Sequence, residues 1–244
     1  MINVVIPMAG LGSRFSKAGY KDPKPFIMAK GRRLIEIVLD NLSLQDARYI
    51  LIARKEHLDA RLDDINEIRS KYNVDFIFLD KLTEGAACTV LAAHREINND
   101  TPLLLANSDQ YIHAPVSSFI SDAVERNLDG SILTFVDSER DPKWSFARLN
   151  DSGFVEEVKE KSPISDFATV GLYYFAKGSD FVGSAIDMIV ANDRVNNEFY
   201  TCPVYNYGIA SGQKIGIYNI PENAMYGLGT PADLDVFLQS SACL

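Results

Sequence analysis

The chain has 244 residues, with 24 Lys and Arg against 33 Asp and Glu and a formal net charge of −9. A hydrophobic fraction of 47% and a charged fraction of 23% are those of an ordinary globular protein, which excludes disorder, a collagen-like repeat and a coiled coil. The acidic balance argues against non-specific nucleic-acid binding, which rests on surplus Lys and Arg, and the length suits one α/β domain of roughly 200–250 residues.

Ile2–Pro7 is a continuous β-branched, apolar run ending in Met-Ala-Gly-Leu-Gly, the pattern of a buried parallel strand feeding a glycine-rich turn. Helical spacing follows in Arg33–Leu42 (Leu34, Ile37, Val38, Leu42), then a short apolar strand at Tyr49–Ala53. Glu56–Tyr72 reads as one long charged helix with Leu58, Leu62, Ile65 and Ile68 on its apolar stripe, and Val74–Leu79 as the next strand. Gly85–Ile97 is helical in pattern, Pro102–Ala106 strand-like, Val116–Arg126 helical and Ser131–Val136 a strand. This βα alternation implies a mostly parallel sheet with helices on both faces. Beyond residue 140 the pattern changes. Phe146–Leu149 and Phe154–Glu160 flank the turn formers Asn150-Asp151-Ser152-Gly153 and read as a hairpin. Phe167–Phe175 is a strand, Ser179–Ala191 and Cys202–Ser211 helices, Lys214–Ile220 a strand, and Ala232–Leu238 a closing helix after Thr230-Pro231. Nothing in the pattern reads as a linker, so residues 1–244 are expected to form a single domain, 1–140 a nucleotide-type half and 141–244 a half of mixed strands.

Gly10-Leu11-Gly12-Ser13-Arg14-Phe15 lacks the third glycine of a dinucleotide fingerprint, and no P-loop sequence occurs. What remains is a loop, Ala9-Gly10-Leu11-Gly12-Ser13, whose backbone N–H groups can approach a phosphate, with Arg14 directly after it. Read alone, it is equally a tight turn with a surface Arg. Residues 14–33 sharpen the choice, because seven basic side chains (Arg14, Lys17, Lys21, Lys24, Lys30, Arg32, Arg33) against Asp22 give them a charge of +6 and leave −15 on the rest. Such segregation points to an anionic ligand, with a solvated basic face as the other reading. Within the segment, Pro23-Lys24-Pro25 brackets a lysine with two prolines, which predicts an extended backbone and an aimed ammonium.

Three further places carry candidate chemistry. Ser108-Asp109 follows a strand on the side expected to face the glycine loop, where a carboxylate can hold Mg²⁺ beside phosphates or cap the next turn. Thr83-Glu84-Gly85-Ala86-Ala87 begins a helix with small residues that let backbone approach a flat ring. Glu160-Lys161, read alone, is a solvated charge pair. The three cysteines form no CxxC pair and no zinc set with three histidines, and they indicate a reduced, cytoplasmic protein. Ile2–Ala9 is too short for a membrane span and lacks a basic leader, and Cys243, next to last, does not match a prenylation box.

The run Ile6-Pro7-Met8-Ala9-Gly10-Leu11-Gly12-Ser13-Arg14-Phe15 followed by Pro23-Lys24-Pro25 resembles the two-part signature of the sugar-nucleotide pyrophosphorylases and related small-molecule nucleotidyltransferases. The resemblance extends through most of the chain and is weakest in the last fifth. It implies a Rossmann-like, glycosyltransferase-A-type fold and transfer of NMP from an NTP to a sugar 1-phosphate or similar phosphorylated acceptor. Pyrophosphate would be released, and the product would feed cell-surface polysaccharide synthesis. CTP, UTP and dTTP are the candidate nucleotides. By the same resemblance, Arg14 and Lys24 are catalytic, and Ala9, Gly10, Leu11, Gly12, Ser13, Gly85, Ala86 and Ser108 bind the nucleotide. Asp109 holds Mg²⁺, and Glu160, Lys161, Gly171 and Glu198 form the acceptor pocket. Tyr20, Trp144, Tyr173 and Tyr200 are aromatic residues for stacking on a sugar, for enclosing a cation or for core packing.

One departure stands out. Met225-Tyr226-Gly227-Leu228-Gly229-Thr230 carries Gly227 where the family commonly has a second metal carboxylate. Two other functions therefore stay open at this point. A glycosyltransferase consuming a nucleotide sugar shares this fold type, though Asn107-Ser108-Asp109 is not Asp-x-Asp; a non-catalytic nucleotide sensor would tolerate Gly227. The expected partners are an NTP and a phosphorylated small molecule, with a homo-oligomer open and neither nucleic acid nor membrane expected.

Overall fold

The computed structural model describes residues 1–243, so Leu244 lies outside it. In chain order, β1 (Ile2–Pro7) passes through the glycine loop into a short helix, α1 (Ser13–Lys17). A hairpin of two-residue strands, β2 (Met28–Ala29) and β3 (Arg32–Arg33), leads to α2 (Leu34–Asn41). Then come β4 (Ala47–Arg54), α3 (Lys55–Ala60), α4 (Leu62–Tyr72), β5 (Val74–Leu79), α5 (Ala86–Leu91) and α6 (His94–Ile97). They are followed by β6 (Leu103–Ala106), β7 (Gln110–Ile112), α7 (Val116–Glu125) and β8 (Gly130–Val136). The second half holds β9 (Ser145–Leu149), β10 (Val155–Glu160), β11 (Phe167–Phe175), α8 (Gly178–Val190), α9 (Val204–Ala210), β12 (Ile215–Asn219), β13 (Met225–Gly227) and α10 (Pro231–Gln239).

Nine strands make the central sheet, in the order β10-β9-β11-β6-β1-β4-β5, with β8 beside β11 and β12 beside β8. β1 runs parallel to β4 and β6, and β4 to β5, so the C-terminal ends of these strands open on one edge. β11 is antiparallel to both β6 and β8, which gives the second half its mixed character. Both faces of the sheet are buried. Val4 and Ile6 of β1 enter one apolar cluster and Val5 the other; Leu104 and Ala106 of β6 enter the first, Leu103 and Leu105 the second. That alternation over unbroken apolar runs is what a parallel strand covered on both faces demands.

The structure differs from the expected elements where the chain breaks a helix. The single helix expected over Glu56–Tyr72 is two, because Arg61 leaves helical geometry (φ −140, ψ 38) while its side chain pairs with Asp22 and Asp64. The break shifts the buried face to His57, Ile65 and Ile68, and Leu62 stays exposed. Gly85–Ile97 also divides, at Ala92 and Ala93, whose N–H groups bond to Thr89 and Val90 in a tightened i→i+3 turn. Two three-residue strands absent from the sequence reading, β7 and β13, pair with each other and place Gly227 opposite Gln110.

Candidate active site

Lys24 Nζ donates to Asp109 Oδ2 at 2.5 Å across the edge where β1 and β6 end. Gly12 sets up this contact. It sits in the left-handed region (φ 62), and a methyl group on it would lie 3.1 Å from Lys24 Cβ, so glycine lets the loop rest on the lysine's backbone. Lys24 itself is not extended as the flanking prolines predict. Phe26 is buried and its N–H bonds to Pro23 O at 2.8 Å, closing a 3₁₀ turn over Lys24–Phe26. The ammonium is aimed by that turn and by the buried Pro25–Phe26 anchor behind it.

Behind this pair lies a cleft of about 680 Å³. It is lined by Ala9, Gly10, Leu11, Gly12, Ser13, Arg14 and Lys24 from the first loop, Gly85 and Ala86 at the start of α5, and Ser108 and Asp109 after β6. Glu160, Gly171 and Glu198 line it as well. Of the residues expected in the site, Lys161 alone is not among the lining residues. Its ammonium donates to Tyr200 Oη at 2.6 Å and lies 4.5 Å from the ring centre of that tyrosine. Tyr20 also stays outside the cleft, packed edge-on against Phe15, whereas Trp144, Tyr173 and Tyr200 reach the lining.

Parts of the lining are shaped by backbone that only certain residues adopt. Gly171 (φ 87) marks a register shift in β11, where a methyl group would strike Gln110 Oε1 and Asn107 Nδ2 within 2.3 Å. Gly85 (φ 130) packs against the backbone of Phe199, bracketed by hydrogen bonds from Phe199 N to Glu84 O and from Ala87 N to Phe199 O. The Thr83 and Thr89 hydroxyls lie 2.6 Å apart and 3.0 and 3.1 Å from Gly85 O; one donates to the other, which donates to the carbonyl and fixes the turn. Asn196 and Asn197, both at positive φ, make the tight turn that presents Glu198.

The basic segment is not one anion site. Arg33 pairs with Glu36 of α2 and with Asp64 and Glu67 of α4 and so braces the two helices, while Arg32 pairs with Asp40 of α2. Arg14 and Lys24 are the members that reach the cleft. Lys143, absent from the sequence expectations, lines the mouth over the Trp144 ring and pairs with Asp141 at 2.9 Å. At the far end burial raises the Glu160 carboxyl above its ordinary range, although Ser145 Oγ donates to it and Lys161 pulls the other way. The buried Cys202 thiol, pushed well above its usual value by burial, is not a nucleophile at neutral pH.

A metal has a narrow choice of ligands here. Among the described residues no three His, Cys, Asp or Glu converge. Gly227 and Gly229 flank Leu228, whose N–H bonds to Asp109 O at 2.7 Å; a side chain on Gly229 would start 3.1 Å from Asp109 Oδ2, whereas Gly227, the expected position of a second carboxylate, is outside the cleft lining. Asp233 lies 3.3–3.5 Å from where a residue-227 Cβ would start, and it is engaged at the N-terminus of α10, accepting from Thr230 Oγ1 at 2.6 Å. One carboxylate suits Mg²⁺ that keeps water and phosphate oxygens as its other ligands.

The nucleotidyl transferase family model matches residues 3–196, most of the chain. The chain belongs to that family. This nucleotidyltransferase is also similar to the nucleoside-diphosphate-sugar pyrophosphorylase of Vibrio cholerae, at 25% identity and a TM-score of 0.80 over 97% of this chain and 100% of the other. The inositol-1-phosphate CTP transferase of T. maritima shares the fold, with 14% identity and a TM-score of 0.74 over 99% of this chain and 97% of that one. No curated protein matches the chain in sequence. Among the described residues of the nucleotidyltransferase, no helix is long and apolar enough to cross a membrane.

Proposed function

We propose that this enzyme transfers NMP from CTP, UTP or dTTP to a sugar 1-phosphate or similar small phosphorylated acceptor, releasing pyrophosphate, in the cytoplasm and toward cell-surface polysaccharide precursors. The observation that carries the reading is the Lys24–Asp109 pair held by the glycine loop in a cleft that Glu160, Gly171 and Glu198 also line. Residues 1–140 serve the nucleotide and 141–244 the acceptor, within one domain.

A phosphate monoester has its second pKa near 6, so at neutral pH its oxygen is already an anionic nucleophile. That oxygen forms a bond to the α-phosphorus as the bond to the pyrophosphate oxygen breaks, and the leaving group takes the electron pair. No general base is needed, consistent with a cleft lining that holds no histidine. The chain's work is positioning and charge neutralisation. Arg14 and Lys24 offset the triphosphate charge, backbone N–H groups of Ala9–Ser13 hold its phosphates, and Gly85 and Ala86 lie flat enough for the base, with Ser108 beside them. Asp109 would hold Mg²⁺, which when bound supplies further charge compensation at the phosphates. Lys161 reaches the acceptor phosphate by leaving the Tyr200 ring, and Lys143 lines the cleft mouth already.

The test is pyrophosphate release from each common NTP with Mg²⁺ and a panel of phosphorylated acceptors. Release with one pair is expected. Consumption of a nucleotide sugar would replace the reading with glycosyl transfer, and nucleotide binding with no release from any pair would replace it with sensing.

A further inference from the structure

Among the described residues, the cations that line the cleft are Arg14, Lys24 and Lys143. Lys24 is paired with Asp109. Lys161 stands outside the lining: its ammonium donates to Tyr200 Oη at 2.6 Å, lies over that ring, and hangs from a backbone in the left-handed region (φ 53). Bringing it to a phosphate breaks both contacts with Tyr200.

Lys143 is held at the cleft by a built turn. The buried Asp137 carboxylate accepts from Glu139 N and Asp141 N, and Asp141 accepts from Lys143 N through its side chain and from Trp144 N through its carbonyl. Trp144 packs edge-on against buried Phe135, and the Lys143 ammonium lies 4.9 Å from the Trp144 ring centre. Its ion pair with Asp141 joins two side chains open to solvent, so the pair contributes little and exchanges readily.

The surroundings of Lys143 belong to two parts of the site. Ser145, two residues on, donates to Glu160 of the proposed acceptor pocket. On the other side, the Lys143 pKa is raised by Asp141 first and then by the charges of Asp137 and Asp233. Asp233 Oδ2 is 4.0 Å from where a Gly229 Cβ would start, and that point is 3.1 Å from Asp109 Oδ2. Lys143 therefore neighbours both the Glu160 pocket and the Lys24–Asp109 pair. An acceptor seated by Glu160 has to carry its phosphate, with about −1.5 to −2 charges at neutral pH, toward that pair.

We infer that Lys143 is the cation that first receives the acceptor's phosphate, its ammonium turning from Asp141 into the cleft. The inference rests on the nucleotidyl-transfer reading and adds a substrate-contacting residue to it. Lys161 joins the same phosphate only after leaving Tyr200, so it follows Lys143.

The experiment is a calorimetric titration of inorganic phosphate into enzyme saturated with Mg²⁺ and a non-transferring analogue of CTP, UTP or dTTP, which fills the nucleotide's own phosphate positions. Lys143→Ala should weaken phosphate binding about tenfold or more, the scale of a lost hydrogen bond to a charged group. The analogue's affinity and the melting temperature should stay near those of the parent, because the Lys143 side chain is exposed. Lys143→Arg should retain most of the binding. Asp141→Asn keeps an oxygen for the Lys143 N–H but releases the ammonium, so phosphate should bind more tightly than to the parent; a lysine that only shaped the turn would not give these opposite signs. Lys161→Ala should cost less than Lys143→Ala. Phosphate that binds the Lys143→Ala enzyme as it binds the parent, that depends on Lys161 alone, or that fails to bind the parent carrying the analogue, overturns the inference and leaves nucleotidyl transfer standing. An enzyme that takes up none of the three analogues overturns the transfer reading, and with it the role of Lys143.

Discussion

Gly85→Ala tests whether the nucleotide and acceptor walls are held together by backbone. Gly85 has φ 130 and ψ 175, a region open to glycine alone, and forcing an L-residue there costs roughly 1–3 kcal/mol. The new methyl would also lie 2.4, 2.5 and 2.8 Å from Phe199 O, N and C, so the two segments must part by about an ångström to reach ordinary contact. That separation strains the bonds from Phe199 N to Glu84 O at 2.7 Å and from Ala87 N to Phe199 O at 3.0 Å, each contributing about 0.5–1.5 kcal/mol. Together the loss is roughly 2–6 kcal/mol, or about 4–24 °C in melting temperature for a chain of this size. Gly183→Ala is the control, because Gly183 is helical and has nothing within 4 Å, and it should gain roughly 0.5–1 kcal/mol. Scanning calorimetry reads both, and acceptor KM reads the displacement of Glu198 next to Phe199. A Gly85→Ala protein that melts within 2 °C of the parent, roughly 0.5–1 kcal/mol on the same scale, with unchanged KM would refute the reasoning.

Lys24→Ala should lower kcat by about 10²–10³, the scale of one lost charge-stabilising donor, while circular dichroism and melting stay close to the parent, since the Lys24–Asp109 pair is part exposed; a near-normal rate would sink the catalytic role. Asp109→Asn should raise the Mg²⁺ concentration for half-maximal activity about tenfold or more, and an unchanged metal titration would remove Asp109 from that role. His57 is buried, packs against Phe26 and has its pKa lowered to about 4 by burial and by Arg54. Its folded value lies below the unfolded 6.5, so the stability it contributes is full above 6.5 and is lost as pH falls toward 4. Between pH 7.5 and 5 the loss is about 2 kcal/mol, and His57→Leu should abolish that part of the slope in urea titrations; an equal slope in both proteins would disprove it.

The central sheet was readable because β1, β6 and β11 are apolar over their whole length and sit between turn signals, so periodicity and length agreed. β7 and β13 were not readable, since three residues show no period and each is a strand only through the other, more than a hundred positions away in the chain. The divided helix shows the same limit from the other side. Leu58, Leu62, Ile65 and Ile68 do form a stripe, but Arg61 has partners at Asp22 and Asp64, and those contacts override the local pattern. Lys143 was missed because Asp141-Pro142-Lys143-Trp144 has no motif; its neighbour Trp144 was the signal available. Gly85 was seen, though for the base it was expected to face and not for the Phe199 backbone against which it packs.

The net charge of −9 and the local +6 of residues 14–33 are both sums, and neither describes the field at the cleft. Arg32 and Arg33 are neutralised by acids on α2 and α4, so their share of the local charge never reaches the loop. Lys24 does reach it, but its charge is shared with Asp109 at 2.5 Å. On the proposed reading an arriving triphosphate must compete for that ammonium. If it succeeds, Lys24 would turn to the phosphates and leave the Asp109 carboxylate free to hold Mg²⁺. On the proposed reading the pair is a neutral resting arrangement, whose separation would supply one cation to the nucleotide and one carboxylate able to hold a metal.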